Sequence, residues 1–303
     1  MFRVGLIVPT YNGGSTWALS AKSIYEQRDS LSHCLVIDSG STDGTREIAA
    51  KYGFELISID SKDFDHAGTR NIAAEYLCEC DILVFMTQDA ILCNSAIEEI
   101  VQPFKNESVA AVCGRQIPHD NANMIAAHAR FFNYPSESCI KSSKDITRFG
   151  IKTAFMSNSF SAYRSHVFFE VGKFPLKNIL SEDMFIAAKM ILAGYSIAYC
   201  ATAIVKHSHN YTPIEEFNRY FDIGVFHADN KFIMQHFGGA GGEGMKYVIS
   251  EIKYLLKNAP LLIPRSLYTT LMKFVGFKLG VGYKCLPRSI IRLFSMHKRF
   301  WNV

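Results

Sequence analysis

The stretch Leu83-Val84-Phe85-Met86-Thr87-Gln88-Asp89-Ala90 decides how this chain is read. Its first four residues suit a buried strand, and the apolar run ends abruptly at a carboxylate. Helix-like sequence follows from Ser95. An Asp at that point would stand at the carboxyl end of a strand, where open α/β sheets bind ligands. It is well placed there to hold a hard cation against phosphate oxygens. Taken alone, the same residue would serve as a cap for the next turn.

Working outward, the pattern repeats. Val4 to Val8 reads as a buried strand ended by Pro9, with Gly13-Gly14 allowing a tight turn before a helix from Thr16 to Gln27. Cys34 to Ile37 is a second strand, followed by Asp38-Ser39-Gly40-Ser41-Thr42-Asp43-Gly44-Thr45 and a helix from Arg46 to Tyr52. Phe54 to Ile59 is a third strand, and a helix from Thr69 to Leu77 leads to the strand Ile82 to Met86. Strands alternating with helices at this spacing predict a parallel, doubly wound sheet. Polar clusters follow Val8, Ile37 and Met86, and such a sheet brings all three to one edge. No GxGxxG fingerprint is present, which removes the main support for an NAD-type site. Asp38 could accept a hydrogen bond from a base imide or a ribose hydroxyl, whereas Asp43 reads as a turn cap. Arg70, after Gly68, could pair with a phosphate in a bidentate fork, or could be a solvated helix residue.

Composition supports a folded protein: 303 residues, 49% hydrophobic and 20% charged. The opening Met1-Phe2-Arg3-Val4-Gly5-Leu6-Ile7-Val8-Pro9 does not read as a secretory leader. No stretch reaches the ~18 uncharged apolar residues of a spanning helix. The eight cysteines form no CxxC pair and are expected to be reduced thiols in the cytoplasm.

At these residues the chain resembles the family 2 glycosyltransferases, which have the GT-A fold. The landmarks are Val8-Pro9-Thr10-Tyr11-Asn12, the Asp38–Thr45 loop, Thr87-Gln88-Asp89 and Ser181-Glu182-Asp183. Phe64-Asp65-His66-Ala67-Gly68-Thr69-Arg70-Asn71, Thr87-Gln88-Asp89-Ala90 and His207-Ser208-His209-Asn210-Tyr211 look more narrowly like bacterial rhamnosyltransferases of O-antigen and polysaccharide assembly. The resemblance implies an α/β GT-A domain over residues 1–212 and a helical, basic region over 213–303. It implies an inverting transfer from a nucleotide sugar, dTDP-β-L-rhamnose, to a saccharide carried on a polyprenyl diphosphate. Thr10, Asp38 and Arg70 would contact the nucleotide, with Pro9 and Tyr11 shaping its pocket. Asp89 matches the last Asp of the family's DxD signature, with Thr87 standing where the first Asp is expected and Gln88 between them. Asp89 would bind the diphosphate and Mg²⁺ or Mn²⁺, and Gln88 would join the nucleotide-sugar contacts. Ser157 and Asn158 fall where the family lines its sugar site. Asp183 would be the catalytic base, although two acids at a helix start are also stabilising by themselves. His207, rather than His209, would be a further metal ligand, the alternative being a structural His at a strand end. A related transferase using a UDP-hexose, and a catalytically silent sugar-nucleotide binder, remain open.

The rest of the chain is read more coarsely. A helix is expected over Ser95 to Phe104, strands over Val109 to Cys113 and Phe155 to Tyr163, and an acceptor-side loop region over 118–150. Ile197 to Tyr199 and Ala203 to Val205 read as two short strands. Ile214 to Gln235 reads as one aromatic-rich helix, broken by a glycine hinge over Gly238–Gly244. From Met245 to Val303 there are eleven basic residues and one acid, a local charge of +10 that leaves −6 for the remainder. Basic helices with apolar faces suit an anionic membrane surface. An ordinary solvated face and a contact between copies of the chain are the alternatives, and no motif supports nucleic acid.

Overall fold

The computed structural model describes residues 2–239 and 242–302. The first half is the expected alternation: β1 (Val4–Thr10), α1 (Gly14–Tyr25), β2 (His33–Asp38), α2 (Thr45–Lys51), β3 (Glu55–Ser58), α3 (His66–Tyr76) and β4 (Ile82–Met86). There follow β5 (Ile91–Leu92), α4 (Ala96–Val101), β6 (Val109–Ile117), α5 (Met124–Asn133), β7 (Cys139–Lys141), α6 (Ile146–Phe149), β8 (Phe160–Arg164), α7 (Ser165–Glu170), α8 (Glu182–Leu192) and β9 (Ser196–Lys206). The C-terminal third is helical: α9 (Pro213–Asp229), α10 (Lys231–Phe237), α11 (Glu243–Asn258), α12 (Ile263–Val281) and α13 (Arg288–Phe294).

One sheet organises the molecule, in the order β3-β2-β1-β4-β8-β6-β9-β5, with β7 added on β9. β3, β2, β1 and β4 are parallel; β8 then enters antiparallel to both β4 and β6, so the second half is mixed. All five residues of β4 are buried, as a central strand covered on both faces requires. One face packs Ile7, Leu35, Leu83, Phe85 and Tyr163 under α3, α7 and α8; the other packs Leu6, Val8, Val84 and Met86 under Trp17 of α1 and Ile97 of α4. Phe221, Val225 and Phe226 of α9 join the first of these cores, so the C-terminal helices are packed on the sheet.

Several local expectations are corrected. Pro9 does not end β1: pairing with β4 stops at Ile7, and the strand continues along β2 to Thr10, where Pro9 breaks no ladder on the β4 side. Residues 118–150 are not a bare loop, since α5, β7 and α6 form there. The two short strands after α8 are one strand, β9, whose pairing with β6 shifts register at Gly114/Arg115. The aromatic helix breaks at Asn230 rather than running to Gln235. The glycine break between α10 and α11 is present, but Ala240 and Gly241 lie outside the described residues. All eight cysteines are free thiols, as expected. No helix among the described residues is long and apolar enough to cross a membrane.

α9 and α12 approach unusually closely. A Cβ on Gly276 would stand 2.4 Å from the Phe217 carbonyl oxygen, one on Gly224 2.4 Å from that of Phe277, and one on Gly280 2.0 Å from that of Phe221. Only hydrogen at these positions lets the backbones meet. Gly280→Ala is therefore expected to force the helices apart and cost roughly 1–3 kcal/mol, the usual scale for overpacking. Urea unfolding would read this as a lower midpoint at unchanged slope. An unchanged midpoint would show that the helix contact carries little stability.

Candidate active site

The site lies at the carboxyl edge of the sheet, in a cavity of about 590 Å³. Pro9, Thr10, Tyr11, Arg70, Gln88, Asp89 and His207 all line it, so seven of the predicted site residues come together. Asp38 and Asp183 do not line it.

Strand register explains much of this assembly. β1 and β2 pair with Thr10 opposite Asp38, and the Thr10 hydroxyl donates to the Asp38 carboxylate at 2.9 Å. Asp38 is fully buried and also accepts from the Gly40 and Ser41 amides and the Ser41 hydroxyl, at 3.1, 2.9 and 2.5 Å. Asp38 was expected to contact the nucleotide; here its carboxylate is occupied in holding the loop after β2. That loop is laced to the one after β1. The Asn12 amide donates to Ser41 Oγ, the Thr42 amide to Asn12 Oδ1, and the Gly14 amide to Asp43 Oδ2. Gln88 is used similarly. Its amide oxygen accepts from the Tyr11 N–H at 2.8 Å, and its amide nitrogen donates to the Tyr11 carbonyl at 3.1 Å. Gln88 therefore fixes the backbone of Tyr11, whose ring stays 42% exposed at the rim.

Asp89 stands in a turn closed by the Ala90 amide donating to the Thr87 carbonyl. β5 then pairs with the end of β9, Ile91 opposite Lys206, which brings Asp89 to the residues after β9. Asp89 Oδ2 lies 3.4 Å from His207 Nε2 and 3.5 Å from His209 Nε2. Ligand atoms of the three side chains fall within 4.8 Å of one another. Sequence reasoning preferred His207 and set His209 aside; the geometry uses both, and the i, i+2 spacing was the available signal. Burial works against the Asp89 charge, but the two imidazoles hold its carboxyl well below the usual range. Burial, then the neighbouring His207, lowers His209 to about 4.

Gln116 of β6 orients His207. The Arg130 guanidinium donates to Gln116 Oε1 at 2.6 Å, which marks that atom as the oxygen. His207 Nδ1, 2.9 Å from the same atom, must then be the N–H donor. On a neutral ring this leaves the Nε2 lone pair facing the Asp89 carboxylate. A proton on Nε2, or a metal cation between the two atoms, makes that contact attractive. One carboxylate and two imidazoles form a donor set suited to a divalent first-row ion, with Gln116 as the supporting hydrogen-bond partner.

Arg70, 6% exposed, lies 3.4 Å from Glu182 Oε1 and donates to the His66 carbonyl at 2.8 Å. Its Nε has no hydrogen-bond partner among the described residues. Glu182 also accepts from the Asn158 amide at 3.0 Å. Burial raises the Glu182 carboxyl, but Arg70, His66 and Asn158 outweigh it and hold the pKa below the usual value. Asp183, next in sequence, takes the opposite course: burial and the adjacent Glu182 push it up to about 7. Its oxygens accept from the Asn158 and Met184 amides at 2.9 and 2.7 Å. The Asn158 amide that it holds lies between Ser157 and Ser159, both of which line the cavity. Asn158, expected as a sugar contact, is buried and holds Glu182, Asp183, Ser161 and Tyr163 together. Two acids side by side with separated titrations allow one to stay charged and the other to exchange a proton.

The cluster makes a direct expectation. Mn²⁺ binding, read by electron paramagnetic resonance, should disappear in Asp89→Ala. It should weaken roughly 10–100-fold in Gln116→Leu, the usual scale for losing a supporting partner of a ligand. Undiminished binding in Asp89→Ala would place the cation elsewhere.

The family model for "Glycosyl transferase family 2" matches residues 6–172. The chain is 55% identical over 302 residues, 99% of its length and 96% of the other's, to the O-antigen chain rhamnosyltransferase RfbN of Salmonella typhimurium. It is 56% identical over 299 residues, 98% of its length and 95% of the other's, to the O-antigen chain rhamnosyltransferase WbaN of Salmonella anatum. Among solved structures, the mannosyltransferase PcManGT of Pyrobaculum calidifontis, in complex with GDP-Man and Mn²⁺, superposes with a TM-score of 0.58. That match covers 99% of this chain and 85% of the other at 19% identity, a likeness of fold alone. By the family match and the near full-length relatives, the chain belongs to glycosyl transferase family 2 and is a glycosyltransferase.

Proposed function

We propose that the chain moves L-rhamnose, with inversion, from dTDP-β-L-rhamnose to a lipid-linked saccharide in O-antigen assembly. The observation that carries this reading is near full-length identity above one half to two O-antigen chain rhamnosyltransferases. The cavity has the size of a small-ligand site and the groups that a nucleotide diphosphate needs. In this reading Pro9, Thr10 and Tyr11 form the nucleotide wall, with Asp38 and Gln88 fixing it from behind. Arg70, held by Glu182, faces the diphosphate. Asp89, His207 and His209 would hold the cation. Mn²⁺ suits two imidazoles better than Mg²⁺ does, and it is the ion in the PcManGT complex. A divalent cation bound there would neutralise charge growing on the leaving diphosphate.

The acceptor hydroxyl oxygen bonds to the anomeric carbon, the bond from that carbon to the diphosphate oxygen breaks with its electron pair, and the hydroxyl proton passes to Asp183. A base acts in its deprotonated form. With its pKa raised to about 7, Asp183 should lose activity as pH falls through neutrality, about tenfold per pH unit below it.

The acceptor is assigned to a second cavity of about 1120 Å³ between α5, α9, α11 and α12. Arg130, Asn133, His209, Tyr211, Arg219 and Tyr220 line both cavities. Phe132, Leu271, Phe274 and Phe277 give the second an apolar wall suited to a lipid chain. Beyond it, Leu256 and Leu261 are 60% and 93% exposed near Lys253 and Lys257, a surface suited to the face of an anionic membrane. Region 213–303 would thus carry acceptor and membrane contacts, and region 1–212 the donor.

Two outcomes test the reading. Asp183→Asn should abolish transfer, by at least about a hundredfold, while nucleotide binding persists; unchanged transfer would remove Asp183 as the base. Leu261→Glu combined with Leu256→Glu should weaken cosedimentation with phosphatidylglycerol vesicles, and equal binding would refute the membrane contact.

A further inference from the structure

The chain does not end on its basic helices. After α13 it is drawn back against the donor side of the sheet. Asp222 of α9 is fully buried, and its Oδ2 accepts from the backbone N–H groups of Met296 and His297 at 2.9 and 3.0 Å. The preceding Ser295 is fully buried as well. His297 Nδ1 then lies 3.3 Å from His66 Nε2, with the rings edge to face at 4.8 Å. His66 lines the donor cavity, and its carbonyl accepts from Arg70. Two residues further on, the Arg299 guanidinium lies 5.7 Å from the centre of the Tyr11 ring, and its Nη1 is 3.5 Å from the Ser61 carbonyl.

Arg299 thus bridges the loop after β1 and the turn after β3, the two walls between which a nucleotide would enter. It makes no ion pair among the described residues, although Asp60, Asp63 and Asp65 lie along the same segment as Ser61. Its contacts, a long hydrogen bond and a ring face, are weak ones for a guanidinium. Such a group gains more from phosphate oxygens, which it meets with charge-assisted hydrogen bonds in fixed geometry. Its backbone is meanwhile held by groups that have no need to move: Asp222 binds the residues before it, and the Phe300 amide donates to the His297 carbonyl at 3.0 Å.

We infer that Arg299 is a donor-binding residue that engages the nucleoside diphosphate half of the donor, with Asp222 and His297 as the positioning residues that carry it there. The inference rests on the donor reading above. It assigns to the C-terminal segment a role in the donor cavity separate from acceptor and membrane contacts.

The test uses the full chain with Mn²⁺ and dTDP as the probe, by isothermal titration calorimetry. Arg299→Gln should weaken dTDP binding about tenfold and raise the donor KM to match, with kcat at saturating donor and the acceptor KM within about twofold. Arg299→Lys should recover part of the loss. Lys298→Gln, an exposed neighbour without a contact at the donor mouth, should bind as the wild type does. Equal losses in Lys298→Gln and Arg299→Gln would reduce the effect to general surface charge and overturn the inference. Wild-type affinity in Arg299→Gln would overturn it while leaving the donor reading intact. If the wild-type chain itself binds no dTDP, both readings fall together.

Discussion

The site depends on one constraint: a carboxylate and two imidazoles are held with their ligand atoms within 4.8 Å of one another. The pairing of β5 with β9 brings Asp89 to the end of β9, and the pairing of β6 with β9 puts Gln116 beside His207. The Arg130–Gln116–His207 chain then fixes which imidazole nitrogen faces the carboxylate. That convergence gives the three side chains the spacing of a possible cation site. The sheet holds these three side chains at separations that chain flexibility alone would not maintain.

Around this centre the charges are sorted by role. Arg70 is balanced by Glu182 inside the protein, so its guanidinium is held in place before any ligand arrives. Removing Glu182 would leave a nearly buried cation without its partner, the costly way to break such a pair. Asp183 is buried and lies beside a charged neighbour, which is why its proton is held to higher pH. Neighbouring acids in the same turn of α8 are thus given different work by what each one faces.

The parallel half of the fold was legible because buried parallel strands read as continuous apolar runs; Val4–Val8, Cys34–Ile37 and Ile82–Met86 each lie within a strand of the sheet. The antiparallel entry of β8 and the single long β9 were not legible, since both depend on pairing between residues far apart in the chain. The same division holds at the site. Asp89, Arg70 and Tyr11 stand at strand and helix ends that a local pattern can mark. Whether a polar residue there faces a ligand or its own loop is a question of register, which is why the bonds of Asp38 and Gln88 to the loops around the site could not be read from sequence. Gln116, Arg130 and Arg219 carry no local motif. The return of Arg299 to Tyr11 spans nearly the whole chain, and the basic tail gave no sign that its last residues leave the helical face.

The central claim is that this cavity holds a nucleotide sugar of one kind. The most direct measurement titrates dTDP-rhamnose, UDP-glucose, UDP-galactose and GDP-mannose into the folded chain, with and without a divalent cation. Binding that prefers dTDP-rhamnose and requires the cation is the expected result. Preference for a UDP-sugar or for GDP-mannose would keep the fold and the reaction class and contradict the rhamnose assignment. A folded chain that binds none of the four would contradict the account of the cavity itself.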